Sequence, residues 1–182
     1  SNADGDYSAN GNYGISKQFL NRKYQIGLNG NINFTNSVSK LNDLTNVSKR
    51  LNLSQKLGIQ LYPTTWFEFI PNIRYSYLKS DFSLSDINDT ETKTWALSAE
   101  GRVDFMEGFF MGYNLSKNYV SGINANITSN PFIINSSLSK DLFKKKGTIQ
   151  IQAFDVLNQN NFVIRSIGDN STTDVKSNAL SR

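Results

Sequence analysis

The sequence predicts an all-β protein, an antiparallel up-and-down meander of about eight strands that forms a β-barrel or part of one. Three observations carry that expectation. Apolar and polar residues alternate with period two through most of the chain. Hydrophobic residues make up only 38% of it, yet 12 Phe and 8 Tyr stand among many Asn and Ser, the composition of a sheet with one wet face and one aromatic-bordered face. Short and long polar links also follow one another in turn along the chain.

The strands can be read in order. A first runs from about Tyr13 to Phe19. From Tyr24 to Phe34 the even positions are Tyr24, Ile26, Leu28, Gly30, Ile32 and Phe34, and the odd ones include Gln25, Asn29, Asn31 and Asn33. From Arg50 to Leu61 the apolar set is Leu51, Leu53, Leu57, Ile59 and Leu61, broken by Gln55, against Arg50, Asn52, Ser54, Lys56 and Gln60. Between Trp66 and Tyr77 one face reads Phe67, Phe69, Pro71, Ile73, Tyr75, Tyr77, opposite a mixed set with Glu68, Asn72, Arg74 and Ser76. Pro71 has no N–H to give a ladder, so a bulge or an edge position is expected there. From Thr94 to Phe105 the apolar set is Trp95, Leu97, Ala99, Gly101, Val103 and Phe105, against Thr94, Ser98, Glu100, Arg102 and Asp104. Weaker strands follow at Phe109 to Tyr119, Phe132 to Leu142 and Thr148 to Ala153, where Gln150 and Gln152 alternate with Ile149 and Ile151.

Tight links are expected at Leu20 to Arg22, Pro63 to Thr65, Met106 to Gly108 and Phe143 to Gly147. Longer ones are expected at Lys40 to Asn46, Asp81 to Glu91 and Ser121 to Asn130. Residues 1–3 look like the scar of a removed affinity tag, leaving 4–182 as a single barrel or barrel-fragment domain.

Several function classes drop out. With no Cys and no His, thiolate metal sites, cysteine nucleophiles and the commonest general base are absent, and neither a catalytic site nor a cofactor is expected. The net charge of +4 comes from scattered basic residues, not a stripe, so no nucleic acid is expected as a partner. The mean hydropathy of −0.43 does not bear on a membrane, because a barrel strand crosses with about 10 alternating residues that a hydropathy window averages away.

Candidate sites are few. Asp86, Asp89 and Glu91 share one predicted loop and could supply oxygen ligands to calcium, but they fit no EF-hand spacing, and no metal site is expected. Glu100, Arg102 and Asp104 project from one strand face about 7 Å apart in successive pairs. Such carboxylates suit glycosidase chemistry, but Arg102 between them points instead to ion pairing. Lys144 to Lys146 read as a solvated turn. Trp66, Phe67, Trp95, Phe105, Phe109, Tyr62 and Tyr113 cluster toward strand ends, as in an interfacial girdle, with a soluble aromatic core as the rival reading.

Near the C-terminus, Lys144-Lys145-Lys146-Gly147 leads into a strand, then Asp155, Asn158, Asn160 and Asn161, followed by Arg165 and Asp169-Asn170. This stretch resembles the C-terminal region of the TonB-dependent-receptor-like outer-membrane barrels of Bacteroides-type bacteria. The resemblance implies a large barrel in the outer membrane of a Gram-negative bacterium, handling passage or capture of a nutrient. Asp155, Asn158, Asn160 and Arg165 would be its motif residues. No plug or TonB box is visible, and the chain reads as a segment that stops at Ser181-Arg182, before the closing strand.

On that reading the polar residues Asn29, Asn31, Lys56, Gln60, Glu100, Arg102, Asp104, Gln150 and Gln152 face a wet lumen, and the apolar set faces lipid. Expected partners are outer-membrane lipid, a small nutrient ligand and a surface lipoprotein. The alternative is a soluble lipocalin-like cup with the apolar face turned inward around a small hydrophobic ligand.

Overall fold

The computed structural model describes residues 5–41, 43–122, 130–159, 161–167 and 171–178. The expected scar, residues 1–3, and the chain end at Ser181-Arg182 lie outside them. The strands are β1 (Tyr7–Phe19), β2 (Tyr24–Leu41), β3 (Leu44–Thr64), β4 (Phe67–Phe82), β5 (Thr90–Met106), β6 (Phe109–Ser121), β7 (Phe132–Leu142) and β8 (Gly147–Ala153). They form one antiparallel sheet in sequence order, the predicted meander, which is not closed: β1 and β8 are its two outer strands. A second hairpin, β9 (Asn161–Ile167) with β10 (Thr172–Asn178), was not foreseen from the sequence. No helix occurs among the described residues.

The strands run further than the alternation alone marks. β3 has 21 residues, about 70 Å at roughly 3.3 Å per residue, where about 10 residues suffice to cross a bilayer. The excess lies at the end opposite the tight turns. There β2 and β3 stay paired out to Leu41 opposite Leu44, so most of the long link expected at Lys40 to Asn46 is strand. Asp43 adopts φ 66°, a left-handed conformation that Asp tolerates in a turn. Strict alternation of short and long links therefore fails at this one position. The links at 83–89 and 122–131 are long, and 123–129 of the latter lie outside the described residues.

Pro71 is neither bulged nor on an edge. It lies inside β4, opposite Ala99 of β5. On its other side the pairing with β3 pauses between Asn72 opposite Gly58 and Phe69 opposite Leu61, with no change of register. The register shift lies instead between Leu61 and Thr64, the segment that contains Pro63.

Two glycines shape the apolar face. A Cβ at Gly30 would collide with the Tyr13 ring, and one at Gly101 would collide with the Glu68 backbone oxygen and the Tyr113 ring. Each tyrosine lies across the bare backbone of the opposing glycine, which restores side-chain cover where the strand has none. The Tyr113 hydroxyl continues past Gly101 and donates to the Glu68 carbonyl at 3.0 Å.

Gly101→Ala is therefore expected to cost about 1–3 kcal/mol through overpacking against backbone. Gly27→Ala, whose Cβ would meet Ser16 at an ordinary 3.7 Å, is expected to be neutral or to stabilise by about 0.5 kcal/mol. Reversible urea unfolding from lipid vesicles measures both, and equal effects at the two positions would contradict the tyrosine-over-glycine packing.

Candidate functional site: the polar face of the sheet

In an antiparallel ladder directly opposed residues project to the same side, so the register assigns every side chain to a face. One row reads Ile15, Leu28, Leu57, Ile73, Leu97 from β1 to β5, an unbroken aliphatic band. The opposite face carries rows such as Asn12, Asn31, Ser54, Ser76, Thr94 and Asn10, Asn33, Asn52. Followed strand by strand, Asn29, Asn31, Lys56, Gln60, Glu100, Arg102, Asp104, Gln150 and Gln152 all fall on this second face.

Burial is inverted relative to a protein with an apolar core. No hydrophobic side chain is buried among the described residues, whereas Asn36, Asn46, Ser48, Ser80 and Ser139 are. All of these except Asn36 lie on the polar face. Along the loop-side half of β5 the two classes alternate: Glu91, Lys93, Trp95 and Leu97 are exposed, and Thr92, Thr94, Ala96 and Ser98 are half-buried, while nearer the tight turn Glu100 and Arg102 of the polar face are exposed. The polar face is the more covered one. An inward-facing apolar cup, the soluble alternative, is not favoured by that distribution.

The polar face is knitted by side-chain hydrogen bonds, between adjacent strands and, at Gln150 and Gln152, within one strand. Asn31 Nδ2 donates to Asn12 Oδ1 at 2.6 Å, and Gln18 Nε2 to Gln25 Oε1 at 3.0 Å. Thr148 Oγ1 donates to Asp141 Oδ1 at 2.9 Å, and Gln152 Nε2 to Gln150 Oε1 at 3.2 Å. Toward the tight turns a concavity of about 430 Å³ opens, lined by Glu68, Glu100, Arg102, Asn114, Asn135 and Gln152 among others. Arg102 turns away from Glu100 and forks onto Asp104, with Nη2 to Oδ2 at 3.0 Å, while its guanidinium lies 4.0 Å from the Phe110 ring centre. The expected charge ladder is thus one ion pair plus a separate carboxylate, because cross-strand Phe110 offers the guanidinium a stacking surface on the Asp104 side.

The apolar face is zoned along its strands. On β4 and β5 the aliphatic pair Ile73–Leu97 gives way to Tyr75–Trp95, with ring centroids 4.7 Å apart, and then to Tyr77–Lys93 and Lys79–Glu91. At the tight-turn end stand Trp66 with Phe67, and Phe105 with Phe109, each pair 5.9 Å apart. Phe67 to Tyr77 spans ten residues, about 33 Å along the strand and about 25 Å along the normal at a tilt of roughly 40°, the height of an outward-facing apolar band. Tyr62 departs from the expected girdle: it alternates onto the polar side, near Glu68, Arg102 and Asp104. Tyr113 is on the apolar face but reaches over Gly101 toward the strand backbone.

Lysines within the apolar face bend toward the nearer end of the sheet. Lys17 lies 5.2 Å from the Phe19 ring centre, and Lys140 donates to the Glu107 carbonyl at 2.9 Å over the Phe109 ring. Lys117 reaches the opposite end, where it donates to the Asn130 carbonyl at 2.6 Å. Long stems lying on apolar surface with the charged head carried to its margin are the geometry of snorkelling.

The motif residues end β8 and tie the chain back to β7. Asp155 N–H donates to Asn135 Oδ1 at 2.8 Å, Val156 N–H to the Ile134 carbonyl at 2.9 Å, and Phe132 N–H to Gln159 Oε1 at 3.1 Å. Asn158 N–H closes onto the Asp155 carbonyl, and both residues hold positive φ, 52° and 45°. Asn160 and Asp169-Asn170 lie outside the described residues, and Arg165 belongs to β9, opposite Asp174. In the predicted loop the acidic trio is dispersed: Asp89 accepts the Phe82 N–H at 2.8 Å, Glu91 pairs with Lys93 at 2.6 Å, and Asp86 stays exposed.

The sequence sets Glu68 and Arg74 opposite the aromatic face of β4 without singling them out as lumen-facing candidates, and it gives no sign of Asn135. On β4 the even positions also include Ile70 and Leu78, which blurs the alternation, and Asn135 is legible only once β7 is registered against β6. Because Arg102 and Asp104 are both substantially exposed, a double-mutant cycle of Arg102→Gln with Asp104→Asn is expected to give a coupling below about 1 kcal/mol. Coupling well above that, read from urea midpoints, would mean a desolvated pair.

The family model described as "Outer membrane protein beta-barrel family" matches residues 31–182. No curated protein and no solved structure matches the chain.

Proposed function

The chain belongs to the outer membrane protein beta-barrel family, a protein of the outer membrane of a Gram-negative bacterium, and on that premise we propose that it forms a non-catalytic wall segment of a TonB-dependent-receptor-like nutrient uptake or surface-binding barrel. In this reading the apolar face meets outer-membrane lipid and the amide- and charge-bearing face lines a wet interior that passes or holds a small polar nutrient. A surface lipoprotein is the partner implied at the loop end.

The observation that carries the reading is the inverted burial: exposed Ile15, Leu28, Leu57, Ile73 and Leu97 form a continuous band, while the buried side chains among the described residues are Asn and Ser. In water such a band would drive association or collapse; against acyl chains it is matched to its solvent. The aromatic margins and the end-seeking lysines support the same orientation. The uptake role rests on the C-terminal resemblance, carried by Asp155, Asn158, Asn160 and Arg165, together with the polar face.

Leu97 and Ser98 are neighbours on opposite faces. Leu97→Arg is expected to cost about 2–4 kcal/mol of folding free energy into bilayers, and Ser98→Arg close to nothing. Refolding equilibria in phospholipid vesicles decide it, and a costlier Ser98→Arg would reverse the assignment of faces. For uptake, deletion of the parent gene is expected to impair growth on one limiting nutrient class; undiminished growth on every class tested would reject that role.

A further inference from the structure

The charges on the polar face are not mixed. On the loop side of the Glu100 row the charged ladder positions of the eight-stranded sheet are Arg50, Lys56 and Arg74, with no carboxylate among them; on the turn side stand Glu68, Glu100, Asp104 and Asp141, with Arg102 held by Asp104. Lys56 and Arg74 oppose each other directly across β3 and β4. Like charges in that position repel at a side-chain separation of about 5 Å. The Lys–acid contacts elsewhere on the sheet are resolved locally, Lys79 with Asp81 and Lys93 with Glu91, each two residues apart on one strand. Lys56 and Arg74 have no such partner among the described residues. Their row continues into Asn29 on one side and Ala96 on the other, and Ser54 and Ser76 stand beside them. The nearest carboxylate row, that of Glu100, is four residues farther along, about 13 Å.

We propose that Lys56 and Arg74 form an oxyanion-recognition site on the interior wall, and that the solute handled there carries a phosphate or carboxylate group. Arg74 supplies a planar fork matched to two oxygens, Lys56 a compact second charge, and Asn29, Ser54 and Ser76 neutral donors around them. An anion between the two cations converts their repulsion into two attractions. The acidic floor toward the tight turns keeps the bound group at this level instead of letting it move deeper. The site deepens the proposed uptake function and rests on the polar face being interior.

The test uses the full parent protein in dodecyl maltoside, a phosphate-free detergent, titrated calorimetrically with inorganic phosphate and separately with succinate. Saturable binding of either is expected, with the stronger ligand identifying the source of the oxyanion. The double variant Lys56→Gln/Arg74→Gln is expected to weaken it at least tenfold. Lys49→Gln, on the opposite face, is expected to leave it unchanged. Correct folding of each variant is checked by far-ultraviolet circular dichroism. Absence of saturable binding in the unaltered protein, or equal affinity in the folded double variant, overturns the site. That failure is distinct from failure of the wall reading, which appears in the Leu97→Arg and Ser98→Arg comparison without any anion present.

Discussion

The fold depends on one geometric constraint: successive side chains of a strand point to opposite sides, while every backbone N–H and C=O lies in the plane between them. A face can therefore be turned to hydrocarbon only if the ladder beneath it is complete, because an unpaired backbone group in lipid costs several kcal/mol. The seven consecutive antiparallel pairings from β1 to β8 meet that requirement within the sheet, apart from the pause at Pro71 and the register shifts beside the tight turns. The free sides of β1 and β8 do not, so the wall can be stable in a membrane only when those edges find partners, by closure or by further strands.

Along the strands a second order is imposed by the layered solvent. Aliphatic residues occupy the middle, aromatic rings the margins, and ion pairs the extension beyond them, where Lys79, Asp81, Glu91 and Lys93 stand. The polar face has its own gradient, basic toward the loops and acidic toward the turns. The two faces are thus graded differently, the apolar one from an aliphatic middle to charged ends and the polar one by the sign of its charge. Strand extension at the loop end carries the wall well past the apolar band, which lengthens the interior surface without adding membrane contact.

Much of this was legible in the residues alone, and the exceptions have physical causes. Parity along β2, β3 and β5 assigned Leu28, Leu57 and Leu97 to one face and Asn29, Lys56 and Glu100 to the other, because period two is a direct imprint of strand geometry. The Lys40 to Asn46 segment misled because its polar residues read as loop although most of the segment is strand. Pro71 misled because a missing N–H can be absorbed by a local pause in pairing as well as by an edge or bulge. Opposition of Lys56 to Arg74 could not be read at all, since register between strands is a property of turns and bulges far from the pair.

Spin labels placed one at a time from Leu51 to Leu61 on β3, in the protein reconstituted into phospholipid bilayers, report how far each position is accessible to oxygen, which partitions into lipid, and to a water-soluble nickel chelate. Accessibility should oscillate with period two, oxygen peaking at Leu53, Leu57, Ile59 and Leu61, and nickel at Asn52, Ser54, Lys56 and Gln60. The opposite phase, or no oscillation, would mean that the apolar side of this sheet does not face the membrane.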